Sequence, residues 1–276
     1  MKKQLLFIAL LAFSANLFAQ SDVFSQDTRL NKTYLDSKRE LDKTYQYELL
    51  QSESWQNFIQ ENGNWFAWFN EENGKPHRAY GQPIAVSGST PESKAMNFIT
   101  GKLSDFNIPV GDLRLSNVNK NEKMHYINYF QEYNGLKVMN SNLTIRLSNA
   151  GDVIMWGADV YNDISLATDP QLDANQAGVS AAFGITTPIE NTVVKPGLVV
   201  LPIPDALHPK QNKYRLVYEV NVHTTASNGI PANWYTLLDA VNGEILYRHN
   251  EVYTCGIKHN HSEVCLPGDK KTAQDK

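Results

Sequence analysis

Tyr129-Phe130-Gln131-Glu132-Tyr133-Asn134-Gly135-Leu136-Lys137-Val138, followed by Leu143-Thr144-Ile145-Arg146-Leu147 and Val153-Ile154-Met155-Trp156, decides the fold class. These are short runs rich in aromatic and β-branched residues, the composition of strands. Asn134-Gly135 and Ser148-Asn149-Ala150-Gly151 fall between them, and such pairs make tight turns because glycine accepts a positive φ. The stretch therefore predicts an antiparallel meander, beginning near Tyr126.

Upstream of the meander, Ser87-Gly88-Ser89-Thr90-Pro91 reads as a boundary and a helix start. Thr90 can cap, Pro91 suits the first helical position, and Ala95, Phe98, Ile99 and Leu103 lie on one face. Further back, Trp65 to Phe69, an Asn73-Gly74 turn and His77 to Gly81 predict a hairpin. Asp27 to Glu61 lacks Pro and carries Leu30, Tyr34, Leu41, Tyr45 and Leu49 at mostly helical spacing, which predicts one or two amphipathic helices.

Downstream the order restarts. Asp173 caps a second helix with Gln176 three residues on, Ala174, Ala177, Ala181 and Ala182 share a face, and Gly184 can end it. Strands resume at Leu198 to Leu201, and Tyr214, Leu216, Tyr218, Val220 and Val222 alternate as in a half-buried antiparallel strand. In both halves a tyrosine precedes a Gly-containing turn and a hairpin follows: Gly135 and Gly151 are 16 residues apart, Gly229 and Gly243 are 14 apart. The expected class is α+β: a helical and hairpin arm over 20–86, two helix-on-antiparallel-sheet modules over 87–163 and 164–252, and a linker tail over 253–276.

The first residues carry Lys2 and Lys3, then the apolar run Leu5 to Phe13, then Ala15 and Ala19, the layout of a secretory signal peptide over 1–19. The chain is expected to be secreted or periplasmic. The apolar run is shorter than the roughly 20 residues a membrane helix needs, so no span is expected. Without Lys2 and Lys3 the formal net charge moves from −4 to −6, which argues against a nucleic-acid partner.

Two stretches carry a family likeness. Tyr129 to Val138, with Leu143-Thr144-Ile145 and Gly151-Asp152-Val153, resembles the fungalysin/thermolysin propeptide motif, an aromatic-Gln-x-Tyr-x-Gly strand meeting a hairpin; its motif positions here are Gln131, Tyr133, Gly135 and Gly151. Trp234-Tyr235-Thr236-Leu237-Leu238-Asp239-Ala240-Val241-Asn242-Gly243-Glu244-Ile245-Leu246 resembles the closing hairpin of a PepSY domain, with Trp234, Asp239 and Gly243 as motif positions. The resemblance implies two cystatin-like modules in tandem. It also implies the pro-region of a secreted zinc metalloprotease zymogen, acting as intramolecular chaperone and inhibitor of a catalytic domain met in cis or in trans. A stand-alone secreted module that regulates proteases or binds other ligands is the alternative.

No catalytic constellation is found in the sequence. Thermolysin-like chemistry needs His-Glu-x-x-His, and none of the seven histidines precedes a glutamate. Gly-x-Ser-x-Gly, Gly-x-Gly-x-x-Gly and phosphate-loop patterns are also missing. The chain is therefore expected not to be an enzyme and to need no cofactor, with zinc belonging only to the protease domain. Cys255-x3-His259-x-His261-x3-Cys265 offers two readings. In an exported protein Cys255 and Cys265 are candidates for a disulfide. With His259 and His261 they could instead ligate a metal, although the spacing matches none of the common zinc frameworks.

The remaining residues singled out have bland readings. Trp65, Trp68, Trp156 and Trp234 are expected in the core. Arg248 and His249 are expected at a solvated strand end.

Overall fold

The computed structural model describes residues 41–205, 211–227 and 229–252. Helices α1 (Lys43–Leu50) and α2 (Glu53–Asn62) come first, then the hairpin β1 (Trp65–Asn70) and β2 (Lys75–Ile84), then α3 (Pro91–Lys102). Two short 3-10 turns lead into β3 (Leu113–Lys120), β4 (Met124–Tyr133), β5 (Leu136–Val138), β6 (Asn142–Ser148) and β7 (Val153–Asp159). Helix α4 (Ala174–Ala181) follows, then β8 (Ile189–Val194), β9 (Val199–Pro204), β10 (Asn212–Thr225), β11 (Pro231–Asp239) and β12 (Ile245–Asn250). The molecule is α+β: a large, almost wholly antiparallel sheet with few helices.

Local signals explain the helix ends. At α3 the Thr90 side chain accepts from Ser93 N while Ser93 serves the cap backbone, with Pro91 at the first turn. Asp173 and Gln176 make the same reciprocal cap at α4. Asn134 (φ 50°) and Gly135 (φ 81°) form the two-residue turn between β4 and β5, both in the left-handed region that such a turn demands.

The sheet runs β1-β2-β7-β6-β4-β5-β9-β10-β11-β12, with β3 also paired to β4 and β8 also paired to β10. β4 lies between β3 and β6 over most of its length, while only Glu132 and Tyr133 pair with β5. β5 in turn meets β9 in parallel through Lys137↔Val199 and Val138↔Val200. A three-residue strand thus stitches the two halves of the sheet together.

The N-terminal half has a single core. Phe58 from α2 meets Trp65 (5.4 Å), Phe98 (6.5 Å), Phe106 (6.1 Å) and Trp156 (5.4 Å), so the helical and hairpin arm shares its core with α3 and β7. β2 extends the sheet by pairing Ala79 with Trp156 and Tyr80 with Met155. A Cβ added at Gly157 would come within 2.1 Å of the His77 carbonyl oxygen, so only glycine lets β7 approach β2 this closely.

In the C-terminal half, Ala177 and Ala181 of α4 pack on Leu216, Tyr218, Val220, Val222 and Leu238. The alternation of β10 suggested one buried face, but Val217 is also fully buried, with Leu201, Leu237, Leu246 and Tyr247 on the opposite side. Neighbouring strands supply apolar partners to both faces there, a feature that the pattern within β10 does not encode. β3 and β8 are largely exposed strands, each paired on one side only, and their mixed apolar and polar residues follow no clean alternation that would mark them in the sequence.

Candidate functional site

The motif positions lie at turns and clamps of the scaffold. Gln131 is 1% exposed; its Nε2 donates to the Tyr161 carbonyl (2.6 Å) and its Oε1 accepts from Tyr161 N (2.9 Å). Ser141 Oγ accepts from Gln131 N (2.9 Å) and donates to the Val138 carbonyl (2.7 Å). Tyr133 Oη lies 3.4 Å from both Leu166 N and Leu166 O. This strand therefore holds the connection that leaves β7. Gly151 (φ 87°) and Gly243 (φ 76°) turn their hairpins, and Lys94 Nζ of α3 donates to the Gly151 carbonyl (3.1 Å). Asp239 is 1% exposed; Oδ1 accepts from Val241 N (2.8 Å) and Asn242 N (3.2 Å), and Oδ2 accepts from Arg215 Nη1 (3.0 Å). Trp234 packs half-buried on the α4 core.

Gln131→Leu keeps the volume but removes both hydrogen bonds to the buried Tyr161 backbone, so it should cost about 2 kcal/mol. Urea denaturation measures this, and an unchanged midpoint would remove the clamp role.

The tryptophan expectation needs one correction. Trp156 (0% exposed) and Trp65 (6%) are core residues, but Trp68 is 42% exposed. The cause is the period of two along β1: Trp65 and Phe69 turn to the core, so Phe66 and Trp68 turn outward. Phe66 and Tyr80 are stacked at 5.9 Å, and Trp68 meets Tyr80 edge-on at 6.0 Å. Register continues the row from Phe66 through Tyr80, Met155, Arg146 and Tyr126 to Asn119, across six strands.

Two arginines stand on this face. Arg78 is exposed opposite Trp68. Arg146 lies 4.3 Å over the Tyr126 ring, and its Nη1 is 3.4 Å from Asn128 Oδ1. Desolvation, followed by repulsion from Arg78, lowers the Arg146 pKa despite the opposing pull of Tyr126. Among the described residues neither arginine has a carboxylate partner, since Asp159 binds His77 (2.8 Å) and Asn70 (2.8 Å), and Glu132 binds Arg114 (2.8 Å).

A polar cavity of about 380 Å³ lies at the seam of the two halves, lined by residues that include Tyr45, Lys75, Asp105, Tyr161, Asp163 and Asn212. Lys75 is only 7% exposed, and burial pushes its ammonium down to about 8 against the opposing pull of Asp163. Asn212 Nδ2 donates to the Glu72 carbonyl (2.9 Å), and Tyr214 Oη donates to Asp163 (2.6 Å), which ties β10 to the β1–β2 turn and to the chain after β7. Gln131 reaches this cavity indirectly, by holding Tyr161.

Arg248 and His249 also differ from expectation. Arg248 is 2% exposed: Nε donates to Thr236 Oγ1 (3.0 Å), Nη1 to the Phe183 carbonyl (3.1 Å) and Nη2 to the Ala181 carbonyl. Desolvation lowers its pKa to about 10. His249 sits beside the rings of Tyr235 (5.4 Å) and Tyr247 (5.1 Å). The end of the last hairpin is thus folded under α4, because a short helix without a basic last turn leaves carbonyls that a neighbouring strand can satisfy.

Cys255, His259, His261 and Cys265 lie outside the described residues, as does the 1–19 segment. Among the described residues there is no cluster of three or more His, Cys, Asp or Glu that could hold a metal, and no helix long and apolar enough to cross a membrane.

No protein-family model matches the chain. A 133-residue stretch, 46% of the chain, is 31% identical to bacillolysin of Bacillus amyloliquefaciens, and spans 25% of that protein's length. The chain is also similar to the Bacillus megaterium YpeB C-terminal domain over 77% of this chain and 98% of that one, with a TM-score of 0.31 and 14% identity.

Proposed function

We propose that the chain acts as the pro-region of a secreted thermolysin/fungalysin-like zinc metallopeptidase, a non-catalytic chaperone and inhibitor of the catalytic domain. The observation that carries this reading is the similarity to bacillolysin over a quarter of that protein's length. The missing His-Glu-x-x-His supports it from the other side, since zinc and the general base would then belong to the partner.

In this reading 87–163 is a fungalysin/thermolysin propeptide-like module and 164–252 a PepSY-like module, two cystatin-like units preceded by the arm 20–86. The 1–19 segment directs export to the periplasm or beyond, and 253–276 is the linker, with Cys255 and Cys265 joined. Chaperoning has a physical basis: a domain rich in long-range contacts folds slowly, and a preformed face that binds its native surface stabilises that surface as it forms. Inhibition follows if the same contact covers the cleft. An interface of about 1,600 Å² is typical of stable protease–inhibitor pairs.

The test mixes the full chain with the mature bacillolysin catalytic domain and follows peptide hydrolysis. Hydrolysis should fall as the chain is added, and the chain with added zinc should hydrolyse nothing by itself. Undiminished hydrolysis at micromolar excess of the chain would count against the proposal.

A further inference from the structure

The geometry points to the open face of the N-terminal sheet, centred on Trp68, Tyr80, Arg78 and Arg146, as the docking surface for an acidic face of the partner protein. This rests on the proposed function, and names the surface and charge by which the peptidase domain is held.

Two independent observations meet here. The first is apolar exposure: Phe66 is 63% exposed, Trp68 42% and Tyr80 46%, with Phe66 and Trp68 both against the Tyr80 ring. Water-facing aromatics grouped on one strand pair, rather than scattered, mark an interaction site. The second is charge: the chain is net negative, yet this face carries Arg78 and Arg146 with no carboxylate partner among the described residues. Their mutual repulsion contributes to the lowered pKa of Arg146, and a partner carboxylate would relieve it.

Tryptophan, tyrosine and arginine are the residue types that dominate binding energy at protein interfaces, while Lys, Asp and Glu are depleted from interface centres. Ring geometry favours a folded protein over a polysaccharide. Trp68 stands at 71° to Tyr80, so the three rings do not form the coplanar platform on which sugar rings stack. Arginine forks pair with carboxylates in two-point contacts, which gives the acidic partner its register.

The experiment measures binding of the full chain to the mature bacillolysin catalytic domain by biolayer interferometry, together with inhibition. Wild type is expected to bind with an affinity that falls as ionic strength rises from about 0.05 to 0.3 M. R78E/R146E should weaken binding about tenfold or more, and W68A by a similar factor. K195E, which alters a charge paired with Glu219 in the other half, should leave binding unchanged. All three variants change partly or fully exposed side chains, and circular dichroism with a denaturation midpoint confirms that they fold. If wild type binds and inhibits but R78E/R146E and W68A do so equally well, the docking surface is wrong while the pro-region reading stands. If wild type neither binds nor inhibits, the reading and the surface fall together. Binding of wild type to an acidic polysaccharide instead of the protein would likewise overturn the inference.

Discussion

Replacing Arg248 by alanine is expected to lower folding stability by about 3 kcal/mol, the largest loss among the substitutions considered. Two losses and one gain decide the size. Truncation empties the volume of a long side chain that is 2% exposed, strips the guanidinium from the Ala181 and Phe183 carbonyls, and removes one of the two hydrogen bonds of Thr236 Oγ1, which also donates to the Trp234 carbonyl. Together these would cost about 4–6 kcal/mol. Against them stands the relief of burying a cation, visible in the lowered pKa, which returns part of that sum. Helix α4 should respond first, since its eight residues are too few to stand without tertiary support. Urea denaturation followed by circular dichroism measures the loss. Arg248→Lys should fall between, because an ammonium cannot span three acceptors as the planar fork does. If alanine changed stability by less than about 1 kcal/mol, the carbonyls at the end of α4 would have to be satisfied by other means.

Lys75→Met is expected to act in the opposite sense, raising stability at neutral pH by about 2–3 kcal/mol. The folded-state pKa of Lys75 is about 8 against an ordinary 10.5, so folding holds a charge where the solvent would hold it more favourably. Below about 8 the ammonium is charged in both states and the full cost applies. Between that value and 10.5 the folded state has released its proton while the unfolded state still binds one, so wild-type stability rises with pH in this window. The methionine variant should lack this rise, and the two stabilities should converge at the alkaline end. Denaturation midpoints across this range supply the test, and parallel pH profiles for the two proteins would show that Lys75 is not the titrating group. A lysine kept at such a cost, opening on the seam cavity beside Asp163, is a candidate for a role other than folding.

The helix starts and tight turns are legible because their signals are local. The caps at Thr90 and Asp173, the Asn134-Gly135 turn and the β1–β2 hairpin all follow from residues within a few positions of one another. What was not legible depends on partners distant in sequence. Hydropathy alone does not separate Trp68 from Trp65 and Phe69; which side of β1 faces the core is fixed by the contacts of Phe69 with Trp55 and of Trp65 with Phe58. Nor does the text around Arg248 show that the end of α4, more than sixty residues upstream, will lie over it. The parallel β5–β9 stitch has only two paired residues and leaves no pattern of its own. Gln131, Tyr133 and Asp239 were visible as motif positions, but as scaffold clamps rather than as contacts to a partner. The open face could have been suspected from Phe66-Ala67-Trp68 opposite Arg78-Ala79-Tyr80, since in a strand pair with alanines inward the large residues must point out.

The most direct measurement is the refolding yield of the denatured bacillolysin catalytic domain, with and without the full chain present during dilution from denaturant. Active peptidase should be recovered in substantially greater amount with the chain, once the chain has been removed by digestion, and R78E/R146E should support less recovery than wild type. An equal yield with the chain, without it, and with an unrelated protein at the same concentration would contradict the pro-region function.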